Sequence, residues 1–137
     1  MELDNLTNKK QISTNYIDYR IDENGILIST FKAKLKDQAL VLDAEFHVSM
    51  VMQLTEGKPH PILNNLLHFN NLPSPKVINF LGKNQDLHKV SLAKAFVLNS
   101  FVLRMIIKQY VKIAVVEYPF QVFKTEKEAV QWLKQYC

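Results

Sequence analysis

The amino-acid sequence predicts a single α/β domain with a mixed, mostly parallel sheet. Strand and helix patterns alternate after an opening hairpin, and each β-α-β step needs a right-handed crossover that leaves its two strands parallel. Residues 95–98 form a short apolar run bounded by polar residues, which is typical of a strand buried on both faces. Apolar residues at helical spacing follow this run, so we expect a central strand that leads into a long helix.

The hairpin is predicted from two alternating segments, residues 16–21 and 26–32, joined by turn residues 22–25. Gly25 can take the positive φ that such a turn favours. Residues 1–15 are polar and lack a sustained period, so we interpret them as a flexible N-terminal arm. The α/β domain is then expected to occupy residues 16–137.

Four helices are predicted from apolar residues at three- and four-residue spacing, each preceded by a capping residue. The predicted N-caps are Asp37, Ser74, Asn99 or Ser100, and Thr125. Further strands are expected near residues 62–67, 93–98 and 119–123, while residues 86–92 are ambiguous and could form one more helical turn. The predicted order is β-β-α-β-α-β-α-β-α.

Composition narrows the class of protein and its location. The chain has 137 residues, 47% of them hydrophobic, which is enough for one buried core. Its net charge of +4 comes from Lys and Arg residues spread along the chain, so we expect no nucleic-acid partner. Cys137 is the only cysteine, and no apolar run approaches the roughly twenty residues that span a membrane. We therefore expect a cytoplasmic protein without a membrane span.

Three segments resemble the STAS domain, and in particular the bacterial SpoIIAA-like (STAS/SEC14-like) proteins. They match the patterns G-x-P-x-P-I-L, A-x-A-x-V-x-N-S and F-x-T-x-x-x-A-x-x-W-L, and they begin at Gly57, Ala93 and Phe123. The resemblance covers residues 16–136. It implies a STAS-like fold and, together with the lack of a reactive constellation, a non-catalytic regulatory or protein-interaction module with a protein partner. We also expect a homodimer through the sheet edge or an apolar helix face.

The same resemblance implies a second function, that of a carrier or sensor of a small apolar or anionic, lipid-like ligand. For this alternative we expect a pocket between a helix and the sheet, lined by Phe46, Met50 and Met52. An internal apolar cavity of roughly 300 Å³ or more would favour the carrier, whereas a filled interior would argue against it.

Ser74 is the candidate site for phosphorylation or partner docking. In STAS antagonists an Asp-Ser-Ser-Gly motif places a phosphorylatable serine at a helix N-terminus, and Ser74 holds the corresponding position here. The motif itself is absent, because Pro73 replaces the acidic neighbour and no glycine follows. The competing interpretation is a simple N-cap, worth about 1 kcal/mol.

Arg104, Lys108 and Lys112 recur every four residues and form a basic stripe on the long predicted helix. The stripe is either a solvated outer face or a contact for an acidic protein surface, a phospholipid head group or nucleic acid.

The sequence gives no pattern typical of an active site. Asp43 and His47 have the spacing of an acid-base pair, but a surface hydrogen bond is the preferred interpretation. The four histidines have no zinc-helix spacing, and the three glycines form no phosphate loop. We therefore expect no enzyme activity, no cofactor and no metal.

Overall fold

The computed structural model describes residues 11–32, 41–68 and 75–137. Six strands form one sheet in this part of the chain: β1 (Gln11–Ser13), β2 (Ile17–Ile21), β3 (Leu27–Phe31), β4 (His60–Asn65), β5 (Ser91–Val97) and β6 (Phe120–Phe123). The helices described are α1 (Val41–Thr55), α2 (Pro75–Lys83), α3 (Gln85–Val90), α4 (Phe101–Ala114) and α5 (Glu126–Leu133), and a 3₁₀ turn (Lys134–Tyr136) follows α5.

The strands lie in the sheet in the order of the sequence, from β1 to β6. The pairs β1–β2 and β2–β3 are antiparallel, whereas β3–β4, β4–β5 and β5–β6 are parallel. The predicted mixed, mostly parallel sheet is therefore confirmed. Because residues paired in register point to the same side of a sheet, the register decides which side chains meet on each face.

The helices divide unequally between the two faces of the sheet. Alternate residues of β3, β4 and β5 pack against α5, through Ala129 and Leu133, and against Tyr136 of the 3₁₀ turn. On the opposite face, α1 and α3 pack against a cluster that includes residues of β2 and β3, and α4 packs against a cluster that includes residues of β5 and β6. That second face is therefore covered by several helices, and a gap between them can serve as a binding site.

Strand β5 lies between β4 and β6, as expected for the centre of the parallel half of the sheet. Ala93, Ala95 and Val97 on one side of β5 are completely buried. The predicted central strand is confirmed. Lys94, on the other side of the same strand, is also buried, and its position is described with the site below.

Two predicted helix caps are confirmed by hydrogen bonds. Ser100 Oγ accepts from the backbone N–H of Leu103 at 3.3 Å, and Thr125 Oγ1 accepts from the N–H of Glu128 at 3.2 Å. The turn of the hairpin contains Gly25 at φ 87°, as its sequence indicates. The caps expected at residues 37 and 74 lie outside the described residues.

Two elements were not fixed by the sequence patterns. Strand β1 falls within residues 1–15, the segment interpreted as an arm, and it pairs antiparallel with β2. The ambiguous segment before β5 forms α3, because the side chain of Asn84 accepts from the N–H of Leu87 at 2.9 Å and caps a new helix. A short polar strand has no periodic signal of its own, and its pairing with β2 is what defines it.

Candidate functional site

A cavity of ≈ 100 Å³ lies between the sheet and helices α1 to α4. Its walls are mostly aliphatic and aromatic. They are formed by Phe31, His47, Asn64, Leu66, Ile78, Leu81, Gly82, Leu87, Lys94, Phe96, Ile107, Tyr110, Val111, Ala114, Val116 and Tyr118. Helices α2 and α4 meet so closely at one wall that a Cβ atom added to Gly82 would lie 2.6 Å from Ala114 Cβ. A glycine is therefore required where these two helices touch.

Five polar side chains are buried together on the sheet face that carries the cavity, and we call them the polar cluster: Tyr19, Ser29, His47, Asn64 and Lys94. Tyr19 on β2 pairs in register with Ser29 on β3, which pairs in turn with Asn64 on β4. Lys94 lies on β5, and α1 places His47 over the strands. Three of the five, His47, Asn64 and Lys94, line the cavity itself.

Lys94 is only 6% exposed, and its ammonium makes no hydrogen bond or ion pair with the side chains or backbone of the described residues. The ion pairs between described residues, Arg20–Glu126 and Lys32–Asp18, lie elsewhere. Its Nζ atom lies 5.0 Å from the centre of the Tyr118 ring, in a cation–π contact. An aromatic ring compensates a buried ammonium only in part, so an anion in the cavity would be stabilised by Lys94.

The imidazole of His47 is held by Tyr19. The Tyr19 hydroxyl and His47 Nδ1 are 2.7 Å apart, and the two rings stack with their centres 5.7 Å apart. Burial, and to a lesser extent the positive charge of Lys94, lowers the pKa of His47 to about 3. Burial also raises the pKa of Tyr19 above its ordinary value. Both rings are therefore neutral at neutral pH, and Lys94 supplies the positive charge of the cluster.

Two oxygen atoms of the polar cluster are buried without a hydrogen-bond partner in the described chain: Ser29 Oγ and Asn64 Oδ1. A buried polar atom left unpaired costs about 1–3 kcal/mol. The two residues are direct neighbours across β3 and β4, and Asn64 lines the cavity. This wall therefore has hydrogen-bonding capacity that a ligand or an ordered water can use.

The residues singled out in the sequence occupy different places. Arg104 donates from Nη1 to the backbone oxygen of Leu98 at 2.8 Å, so its guanidinium holds the end of the central strand. Lys108 and Lys112 are exposed on α4. Ser74 lies outside the described residues. The basic stripe and the phosphorylation or docking role of Ser74 remain predictions.

The side chains that we expected to line a pocket for the carrier alternative do not line the cavity. Phe46 is 53% exposed on the outer side of α1, and Met50 packs in the core between α1 and the sheet. Neither residue, nor Met52, lines the cavity. His47 is also not at the surface as expected, because it points inward and bonds to Tyr19.

Sequence patterns missed Lys94 and Asn64 as site residues, although each carries a signal. Lys94 interrupts a strand that is otherwise apolar, and Asn64 follows the buried pair Ile62 and Leu63. A polar residue inside a strand that is buried on both faces needs a partner. That requirement could have identified both residues before the structure.

Two further findings bear on the class of protein. Among the described residues, no group of three or more His, Cys, Asp or Glu side chains is arranged to hold a metal ion. None of the described helices combines the length and the apolar character needed to cross a bilayer.

Comparison with solved structures finds the crystal structure of an uncharacterized DUF3478-family protein with a SpoIIAA-like fold from Shewanella loihica PV-4. The TM-score is 0.62 and the identity 14%, over 89% of this chain and 98% of that chain. This likeness shows the SpoIIAA-like fold that the sequence predicts. None of the curated proteins matches this chain. The family profile described as "Domain of unknown function (DUF7793)" matches residues 19–137, and the chain therefore belongs to the DUF7793 family.

Proposed function

We propose that this domain is a non-catalytic regulatory module that senses a small organic ligand in the cavity above the polar cluster. The observation that carries the proposal is the Lys94 side chain, 6% exposed, which lines a mostly apolar cavity with an aromatic ring as its neighbour. Replacing a buried charged group with an apolar one of similar volume is often neutral or stabilising. A lysine at this position is therefore better explained by binding than by stability.

The size of the cavity limits the ligand. Pockets for drug-sized molecules measure roughly 300–1,000 Å³, whereas an engineered apolar cavity of about 150 Å³ holds benzene. A cavity of ≈ 100 Å³ fits a compound of about six non-hydrogen atoms or fewer. The lipid-like ligand implied by the family resemblance would exceed this volume, so the proposal is restricted to small compounds.

The non-catalytic part of the proposal rests on His47. A general base works best when its pKa is near the operating pH, and burial lowers the pKa of His47 to about 3. The Nδ1 atom of His47 is already engaged by Tyr19. We therefore assign His47 to the positioning of the cavity wall and not to proton transfer.

Thermal unfolding with a set of compounds of three to eight non-hydrogen atoms, carrying carboxylate, amide, alcohol or amine groups, tests this function. We expect at least one compound to raise the Tm of the wild type by about 3–5 °C at ten times its dissociation constant. The variant Lys94→Met should stay folded and lose this response. Lys108→Met, which makes the same change on the exposed side of α4, should keep it. If no compound raises the Tm of the wild type more than that of Lys94→Met, the proposed function is wrong.

Protein binding is a second candidate function, favoured by an exposed apolar surface at the start of α4. Phe101 and Val102 are 69% and 63% exposed, and Met105 is exposed one turn later. Together they form what we call the α4 patch. Large apolar side chains grouped at the surface are typical of an interface between proteins. The occupant we propose for this candidate is a second copy of the chain, in keeping with the expected homodimer through an apolar helix face.

Sedimentation velocity over a range of protein concentrations tests the α4 patch. We expect a dimer at micromolar concentrations and a monomer for the double variant Phe101→Ser, Val102→Ser, because the change removes apolar area from the interface. Val115→Ser alters another exposed apolar residue, at the opposite end of α4, and should leave the dimer intact. A wild-type protein that stays monomeric at every concentration would refute the homodimer.

A further inference from the structure

We infer that the ligand of the cavity is a short-chain monocarboxylate, whose carboxylate meets Lys94 and whose apolar tail lies against α2 and α4. This inference rests on the proposed function and specifies the chemical class of the ligand. It follows from the charge at one end of the cavity, the unused hydrogen-bonding capacity beside it, and the volume and apolar character of the remainder.

The charge of the head group follows from Lys94. Among the described residues that line the cavity, Lys94 supplies the only full charge, and the neighbouring imidazole of His47 is neutral. One buried cation compensates one negative charge. A phosphate dianion would leave a second charge unpaired in an environment of low dielectric constant, which is costly. A monoanion therefore fits the cavity better than a phosphate group.

Asn64 supports a hydrogen-bonding head group at the same wall. Its side chain lines the cavity, is 8% exposed, and has an Oδ1 atom without a partner in the described chain. A carboxamide offers both an N–H donor and an oxygen acceptor, and a half-turn of the amide group exchanges the two, so that Nδ2–H can donate to a carboxylate oxygen. Lys94 and Asn64 therefore form the polar end of the cavity, next to His47.

The remaining lining of the cavity is mostly apolar and specifies an apolar tail. It includes Leu66, Ile78, Leu81, Ile107 and Val111. Ile107 and Val111 lie one turn apart on α4, and Ile78 and Leu81 lie one turn apart on α2. These walls offer no ionised group, so the part of the ligand that they contact is a hydrocarbon. The limit of about six non-hydrogen atoms allows about three carbon atoms beyond the carboxylate.

Isothermal titration calorimetry with isobutyrate and isobutyramide tests the inference directly, because the two compounds have nearly the same shape and differ in charge. We expect isobutyrate to bind the wild type with one site and isobutyramide to bind at least tenfold more weakly. Octanoate, which has the same head group and a longer tail, should also bind more weakly than isobutyrate because it exceeds the cavity. Lys94→Met and Asn64→Leu should each weaken isobutyrate binding at least tenfold, whereas Lys108→Met should not change it.

The outcomes separate this inference from the proposed function. Equal or tighter binding of isobutyramide, or tighter binding of inorganic phosphate than of isobutyrate in the same assay, would overturn the monocarboxylate and leave a ligand-binding cavity in place. Tighter binding of octanoate than of isobutyrate would overturn the limit on the length of the apolar tail. If carboxylates, amides, alcohols, amines and phosphate all fail to bind, both the inference and the proposed function are wrong.

Discussion

Acidification from pH 6.5 to pH 3 is expected to lower the free energy of unfolding by about 4–5 kcal/mol through His47 alone, at 1.36 kcal/mol for each pKa unit. The unfolded chain binds a proton at His47 near the ordinary pKa of 6.5, whereas burial lowers the pKa in the folded protein to about 3. Between these values the unfolded state binds more protons than the folded state. The stability that depends on a neutral His47 is therefore fully present above pH 6.5 and is lost as the pH falls from 6.5 to 3.

The groups that face His47 explain why protonation is unfavourable. Lys94 approaches from β5 with a positive charge, Tyr19 approaches from β2, and the ring of Phe31 on β3 lies with its centre 5.5 Å away. None of these groups stabilises an imidazolium by a negative charge. Hydrogen bonds from Ser13 and Lys32 lower the pKa of Asp18. Protonation of Asp18 therefore also destabilises the folded protein in acid, but only below its ordinary pKa of 3.8.

Urea unfolding at pH 7 and pH 4 separates His47 from the carboxylates. The variant His47→Gln keeps a polar side chain near the Tyr19 hydroxyl but does not titrate, so its stability should fall by about 3 kcal/mol less than that of the wild type over this range. His68→Gln alters an exposed histidine and should behave as the wild type. An unchanged pH dependence in His47→Gln would show that His47 is not buried as described.

Leu133→Ala is expected to lower the free energy of unfolding by about 2–5 kcal/mol, the cost of a cavity left by a buried leucine. Leu133 is 0% exposed and packs with Ala129 of α5 against Leu63 and Ala95 of the sheet. The truncation therefore leaves a space between α5 and the sheet at this contact. Leu92→Ala, at an exposed leucine that starts the same strand as Ala95, should cost less than about 1 kcal/mol.

The same variant separates stability from binding. The cavity lies on the opposite face of the sheet from Leu133. We therefore expect Leu133→Ala to keep the ligand affinity of the wild type at temperatures where it is folded, as measured by calorimetry. A loss of affinity equal to that of Lys94→Met would show that the two faces are coupled and would argue against a site confined to one of them.

The sequence predicts most of the fold because its strongest signals are local. The apolar run of β5, the apolar stripe of α4 and the capping residues Ser100 and Thr125 all specify structure from neighbouring residues. Strand β1 and helix α3 could not be predicted from neighbouring apolar residues. Strand β1 is defined by its pairing with β2, in which Ile12 lies opposite Tyr19, and α3 is defined by the single N-cap residue Asn84.

The candidate site could not be predicted in the same way. Tyr19, Ser29, Asn64 and Lys94 are spread over 76 positions of the chain, and only the register of four strands brings them to one face. His47 shares a helix face with Ala44 and Val51, so its burial could have been inferred, but its bond to Tyr19 depends on how α1 crosses the sheet. The volume of the cavity follows from the contact between α2 and α4, which no local pattern encodes.

A crystal structure of the protein soaked with isobutyrate tests the central claim most directly. We predict the ligand in the cavity, with a carboxylate oxygen about 2.7–2.9 Å from Lys94 Nζ and the two methyl groups against Ile107 and Val111. A cavity that contains only ordered water bound to Asn64, with the Lys94 ammonium paired to a carboxylate of its own chain, would contradict the account.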